Sequence, residues 1–313
     1  MQVPYGQIIN KKNNRMKTFY YLAGVLFLIA TSLHAQRTLD ADEIIAMIDQ
    51  GKEVKLENVT IKGPLGLVKV KDREKKNSSA FGTDTYECHI NVPISFTNCT
   101  FEDDVVAYFH DDDDNELYNA MFHEDVTFRN CTFQQDALFK YSGFDKMSHF
   151  QDNTFEEEAL FKYAEFSENA DFQDGRFDEE ANFKYAEFKR EANFNGCVFH
   201  DEANFKYSEF KEQARFKNAT FSGHGNFKYA EFDEYVDLAE STFAGEATFK
   251  YTKFPDGVSF ENARFEEDAD FKYTHFHDPL NMSGVDFEED VNFEYTKYNG
   301  KDFTQYLIQK KFK

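Results

Sequence analysis

The sequence predicts an all-β chain wound into a parallel β-solenoid, and three observations carry that prediction. Phenylalanine recurs from Phe122 to Phe303 at intervals of five and six residues, through Phe128, Phe133, Phe139, Phe144, Phe150 and Phe155, with Leu238, Met282 and Tyr298 as the substitutes. A small residue stands two positions before most of them, as in Ala203-Asn204-Phe205. Lys-Tyr follows every fourth Phe, at 140–141, 162–163, 184–185, 206–207, 228–229, 250–251 and 272–273, and Glu294-Tyr295 closes the series. Two alternating steps of five and six make 11 residues, which could also signal a right-handed supercoiled helix. At roughly 98° per residue the Ala and Phe positions would scatter around such a helix and form no stripe. In extended chain, residues i−2 and i share one face. Small-x-large followed by a corner therefore winds a coil with Ala and Phe inside and everything else outside.

The Lys-Tyr spacing sets the coil at 22 residues. Residues 128–303 then make eight coils, a rod about 38 Å long at ~4.8 Å per stacked strand. The 38 Phe among 313 residues, with 5 Pro and no Trp, fit interior stacks. Each buried Phe is worth roughly 1.5–3 kcal/mol, and stacked identical side chains hold such sheets flat.

Ala203-Asn204-Phe205-Lys206-Tyr207, Ala181-Asn182-Phe183-Lys184-Tyr185 and Ala269-Asp270-Phe271-Lys272-Tyr273 resemble the pentapeptide-repeat family, whose unit is Ala-[Asp/Asn]-[Leu/Phe]-x-x. The resemblance runs from about Ile94 to Phe303. It implies a right-handed quadrilateral β-helix with four short faces per coil. The chain departs from the family in carrying one extra residue in every second unit, Glu191 or Gln213 for example, which is expected to bulge at a corner.

The ends read differently. Lys11, Lys12, Arg15 and Lys17 precede an apolar run from Leu22 to Leu33 and the sequence Leu33-His34-Ala35-Gln36, the layout of a secretory signal peptide. Met16 reads as the start and residues 1–15 as an upstream extension. An apolar run of about 12 residues falls short of the ~20 needed to span a bilayer. The expectation is export to the periplasm, outer surface or extracellular space after cleavage near Ala35, with no transmembrane segment left in the mature chain. Residues 36–93 are read as an N-terminal capping helix and an opening irregular coil. Asp40 and Glu43 form a capping box, Ile44, Ile45, Met47 and Ile48 a stripe, and Gly51 a stop. Val54-Lys55-Leu56 and Val59-Thr60-Ile61 repeat the coil pattern in aliphatic residues. The segment 69–90, with Asn77-Ser78-Ser79, is read as a loop or hairpin excursion. Residues 94–303 are read as the β-helix proper, with an excursion over 102–121, and 304–313 as a tail that covers the last coil through Tyr306, Leu307 and Phe312. Repeat arrays need such caps.

Few residues offer chemistry. Cys99, Cys131 and Cys197 occupy the small inward position, and Cys131 and Cys197 lie three coils apart, too far to bridge. Cys88 is outside the pattern, and an oxidising compartment would allow a Cys88–Cys99 disulfide. Asp111 to Asp114 suggest a calcium loop, but Glu116 and Phe122 stand where an EF-hand needs Gly and Glu, so a solvated acidic loop is expected. Glu156-Glu157-Glu158, Asp178-Glu179-Glu180, Asp201-Glu202, Glu266-Glu267-Asp268 and Glu288-Glu289-Asp290 fall on one corner of the coil. That corner is read as charged cladding rather than a cation site. There is no Ser/His/Asp set, no phosphate loop and no CxxC, so neither enzyme activity nor a cofactor or metal is expected.

The formal net charge is −23, and removal of residues 1–35, with four basic and no acidic residues, makes it −27. Such a charge argues against direct nucleic-acid binding. The sequence therefore predicts an exported, non-catalytic scaffold that binds a protein or glycan along the rod. The candidate strip is Tyr141, Tyr163, Tyr185, Tyr207, Tyr229, Tyr251, Tyr273 and Tyr295 with Lys140, Lys162, Lys184, Lys206, Lys228, Lys250 and Lys272. A homodimer through the solenoid end is a further expectation. The family resemblance also implies an alternative: a DNA-mimicking acidic rod that acts on a type II topoisomerase, which requires a cytoplasmic chain.

Overall fold

The computed structural model describes residues 37–76 and 83–311. The signal-peptide and upstream-extension expectations for 1–35, the Asn77-Ser78-Ser79 loop and Phe312 lie outside the described residues. The described residues form one compact unit.

Four parallel sheets enclose this unit, and each coil contributes one short strand to each. In the coil beginning at Ala192, the first face is Ala192–Asn193, the second Val198–Phe199, the third Ala203–Asn204 and the fourth Glu209–Phe210. Each pairs in register 22 residues on, so Ala192 meets Ala214, Phe199 meets Phe221, Ala203 meets Gly225 and Phe210 meets Phe232. The 22-residue coil is thus as the sequence predicts, and the four-sided section as the family resemblance implies. The first and third sheets each hold ten strands. On the first face, eight of these start with Val126–Arg129, and Val54–Glu57 and Ile94–Thr97 precede them.

Register puts identical rings above one another. Phe161, Phe183 and Phe205 stack at 5.0 Å, and Phe166, Phe188 and Phe210 at 4.9 and 4.8 Å, with rings within 6° of parallel. Neighbouring stacks meet edge to face, as between Phe172 and Phe183 at 5.2 Å and 85°, the geometry that the ring quadrupole favours. Phe205 and Phe194 have no exposed surface. Leu238 is equally buried, whereas Met282 and Tyr298, in the last coil, are half-buried. Where Ser or Thr replaces Ala after the third face, its hydroxyl donates to a carbonyl of the preceding coil: Thr252 Oγ1 to Phe227 O, Thr274 Oγ1 to Phe249 O and Ser208 Oγ to Phe183 O, each at 2.7 Å. These buried hydroxyls are thereby satisfied.

Corners alternate between two designs. After the first and third faces, two residues form a tight turn in which the fourth residue donates back to the Phe carbonyl, as Ala186 N does to Phe183 O at 2.9 Å. After the second and fourth faces, three residues make a wider bend, as in His200-Asp201-Glu202 before Ala203. The extra residue of the six-residue step sits in this bend, where the sequence reading places it.

Helix α1 (Ala41–Asp49) begins at Asp40, whose side chain accepts from Asp42 N at 2.9 Å. It buries Ile44, Ile45 and Ile48 and packs against Leu65–Gly66 of the third face. Its stop is Gly51 at φ +67°. Helix α2 (Phe303–Lys311) inserts Phe303 beside Phe293 and Phe276 and sets Tyr306 on Tyr298. Two hairpins depart from the coil near its start. Arg73–Lys75 pairs antiparallel with Asp84–Ile90, and Tyr108–Asp111 with Glu116–Phe122. The long arms Asp84–Ile90 and Glu116–Phe122 run parallel to each other and lead into the fourth sheet. All four cysteines are buried free thiols, so Cys88 and Cys99 are not bridged. Cys88 lies instead under Val68, to whose carbonyl its Sγ donates at 3.3 Å. Cys99 neighbours Cys131 in the next coil, an adjacency hidden in sequence by the second hairpin.

Candidate functional site

The Lys-Tyr residues fill the tight turn after the third face. Each Tyr is the third residue of its turn and has a positive φ: +58° at Tyr141, +61° at Tyr163, Tyr185 and Tyr207, +63° at Tyr251 and +62° at Tyr273. Together with the closing hydrogen bond this is a type II turn, whose third position suits Gly or Asn. A bulky L-residue there costs about 1 kcal/mol. Eight tyrosines accept this conformation. The backbone is otherwise fully engaged, with Tyr163 N donating to Lys184 O at 3.0 Å and Tyr229 N to Lys250 O at 2.9 Å.

The rings form a continuous outward column. From Tyr141 to Tyr295 successive centroids are 4.8, 4.7, 4.8, 4.9, 4.6, 4.8 and 4.8 Å apart. Tyr108 of the second hairpin leans on the first ring at 5.8 Å. Tyr163 and Tyr185 are each 37 % exposed, and Tyr295, at the end, 54 %. Since the faces cover one another, the column presents ring edges and hydroxyls. Ammonium groups lie 5.0–5.5 Å from the ring centroids for Lys140, Lys162, Lys184, Lys206, Lys228 and Lys272, along the flank of the column. The glutamates nearest these lysines in sequence are drawn elsewhere: Glu165 pairs with Lys189, and Glu209 with Lys211 at 2.8 Å. Lys250 reaches Asp270 at 3.2 Å and Lys272 pairs with Glu294. Burial and the flanking Lys184 and Lys140 hold Lys162 below the usual lysine range.

The acidic corner is the three-residue bend after the second face, and all five acidic segments fall on it. The residue just before the third-face strand forms a column through Asp136, Glu158, Glu180, Glu202, His224, Glu246, Asp268 and Asp290, with His224 as its one break. Burial, then Glu180 and Asp136, push the Glu158 carboxyl up; burial and Glu202 do the same to Glu180. The Asp111–Asp114 segment caps its own turn, with Asp111 Oδ1 accepting from Asp113 N at 3.0 Å. Phe109, 47 % exposed, and Tyr118 of the same hairpin line a shallow pocket with Val68, Lys69 and Arg73. No sequence pattern announces that pocket, because a fold-back of irregular length brings its walls together.

A four-sided parallel β-solenoid with two-residue turns and Phe stacks defines a repeat scaffold. Residues 161–209, 183–231, 205–253 and 227–275 each match the family described as pentapeptide repeats (9 copies), so this stretch of the solenoid is similar to the pentapeptide-repeat family. No curated protein and no solved structure matches the chain. No helix among the described residues is long and apolar enough to cross a membrane.

Proposed function

We propose that the chain is an exported, non-catalytic scaffold that holds an extended partner along the Lys-Tyr edge. The observation that carries this reading is the choice of Tyr at eight positions where the backbone favours Gly or Asn. The stacked column offers a row of phenol edges at strand spacing, flanked by lysines on a chain of net charge −23. An extended acidic polypeptide fits this edge: its carboxylates meet the lysines, and its main chain meets the hydroxyls. A glycan fits less well, since sugar rings stack on aromatic faces and the internal faces are covered. The DNA-mimic alternative rests on overall charge, and the lysine column breaks the acidic surface along one whole edge. The basic, then apolar, residues 11–33 support export.

The test is replacement of Tyr185, Tyr207 and Tyr229 by Asn, which suits the same turn conformation. The folded variant should lose cross-linking to the partner that the wild-type rod retains in cell-envelope fractions. Mass spectrometry of the native chain should place its N-terminus near residue 36. Retained cross-linking in the triple variant would move the site off the edge, and an intact N-terminus in the cytoplasm would revive the topoisomerase reading.

A further inference from the structure

We propose that Glu74, Glu87 and His89 form a binding site for a divalent transition-metal ion of zinc-like preference, oriented by His123 and Asp145. The site lies on the first hairpin, outside the Lys-Tyr edge. Glu74 and Glu87 stand directly opposite each other across the antiparallel ladder. Glu87 and His89, two apart on one strand, share a face. One carboxylate oxygen of each glutamate and one nitrogen of His89 all lie within 4.8 Å of one another, and His89 Nε2 is 3.8 Å from Glu74 Oε2. Two carboxylates opposed across a ladder repel unless a cation joins them. Here the Lys76 ammonium bridges them at 3.0 Å to each, which marks the spot as one that attracts positive charge.

A hydrogen-bonded chain lies behind His89. His123 Nδ1 is 2.6 Å from Asp145 Oδ2. A carboxylate only accepts, so His123 Nδ1 carries a proton. His123 Nε2 and His89 Nδ1 share a hydrogen bond at 2.9 Å, and the two rings stack at 5.1 Å. When His89 Nδ1 is the donor, His89 Nε2 presents its lone pair beside the two carboxylates, a ligand set that a divalent cation can join in place of the Lys76 ammonium. A carboxylate–His relay behind a liganding imidazole is also the arrangement that fixes tautomer and raises basicity at metal centres. One imidazole with two carboxylates suits zinc and its neighbours better than calcium. Three protein ligands leave a position for water, and Glu74, with its side chain 61 % exposed, keeps the site open.

Calorimetric titration of the full chain with zinc chloride at physiological salt tests the proposal. One saturable site is expected, with no competition from equimolar calcium. His89→Ala should abolish it, and Asp145→Asn should weaken it about 10- to 100-fold by disturbing only the relay. Lys76→Ala should tighten binding, because the competing ammonium is gone. Circular dichroism checks that each variant folds; if His89→Ala does not, Glu87→Gln replaces it and should also abolish the site. Absence of a saturable site in the wild type would overturn the proposal. So would equal affinity in the folded His89→Ala or Glu87→Gln variant, which would show only diffuse attraction to an acidic surface.

Discussion

Two corners of each coil use the same turn and fill it with opposite chemistry. After the first face the residue of positive φ is Asn130, Asp152, Asp174, Gly196, Asn218, Glu240, Asn262 or Gly284, mostly residues that tolerate a left-handed backbone. After the third face it is Tyr in eight successive coils, at the same φ. The turn therefore does not require Tyr, and backbone preference opposes it. What offsets the conformational cost is the column itself: each ring gains one or two parallel neighbours at about 4.8 Å, and aromatic pairs contribute about 0.5–1.5 kcal/mol beyond burial. A lone Tyr at this turn is a defect, whereas a run of them is self-supporting. The first corner mostly follows backbone preference, and the second overrides it with stacked rings.

Both corners hang on one core of Phe stacks, so the largest expected effect lies there. Phe205→Asp, beside the Tyr207 turn, buries an unpaired charge among four stacks and should cost more than about 4 kcal/mol, enough to unfold the rod. Lys206→Asp, one residue along and outward, should leave urea denaturation nearly unchanged. Similar effects at both sites would mean the inside and outside of the coil are misassigned.

Exchanging the corners sharpens the contrast. Asn218→Tyr introduces a single ring at the first corner, between Gly196 and Glu240 in the adjacent coils, and should destabilise by about 1 kcal/mol. Tyr207→Asn relieves the backbone but removes two stacking contacts, Tyr185 at 4.8 Å and Tyr229 at 4.9 Å, so it should change stability by less than about 1 kcal/mol. A double-mutant cycle of Tyr185→Asn and Tyr207→Asn should give a coupling of about 0.5–1.5 kcal/mol. Zero coupling would show that ring stacking does not offset the backbone cost of the turn.

How much of this was legible follows from what repeats. The alternating five and six spacing of Phe, read by strand parity, places Phe183 and Phe205 inside and Tyr185 and Tyr207 outside. The 22-residue period places Glu158 beneath Glu180. The conformational demand on Tyr was not legible, because Tyr carries no turn signal and the Gly and Asn that do occur at the other corner. The His89–His123–Asp145 chain was half legible. Residues 123 and 145 are 22 apart and so stack, but 89 and 123 are separated by a coil that the second hairpin lengthens. The same insertion hides the neighbours Cys99 and Cys131. Regular coils can be read by counting; insertions break the count, and contacts that cross them become visible only in three dimensions.

The smallest effect concerns the two ends of the third-face strand, where the acidic bend lies on one side and the Lys-Tyr turn on the other. Glu158 and Lys162 flank Ala159–Leu160, and each lies in a column of its own sign. Burial, then Glu180 and Asp136, raise the Glu158 carboxyl. The folded chain therefore holds that proton more tightly than the unfolded one. Its contribution to stability is fully present in acid and is lost as pH rises through the folded value. Burial, then Lys184 and Lys140, lower Lys162, so its charged form is the disfavoured one and deprotonation at alkaline pH relieves the strain. At neutral pH both columns are charged, and both oppose folding slightly. Glu158 takes part in no ion pair among the described residues, so Glu158→Gln removes repulsion and little else. It should stabilise by about 0.5 kcal/mol at pH 7, read as a small rise in Tm. The gain should fade as pH falls and vanish below about pH 4, where the wild-type carboxyl is itself protonated. A gain that persists in acid would trace to packing rather than charge, and a loss at pH 7 would show that the column is held together by cations.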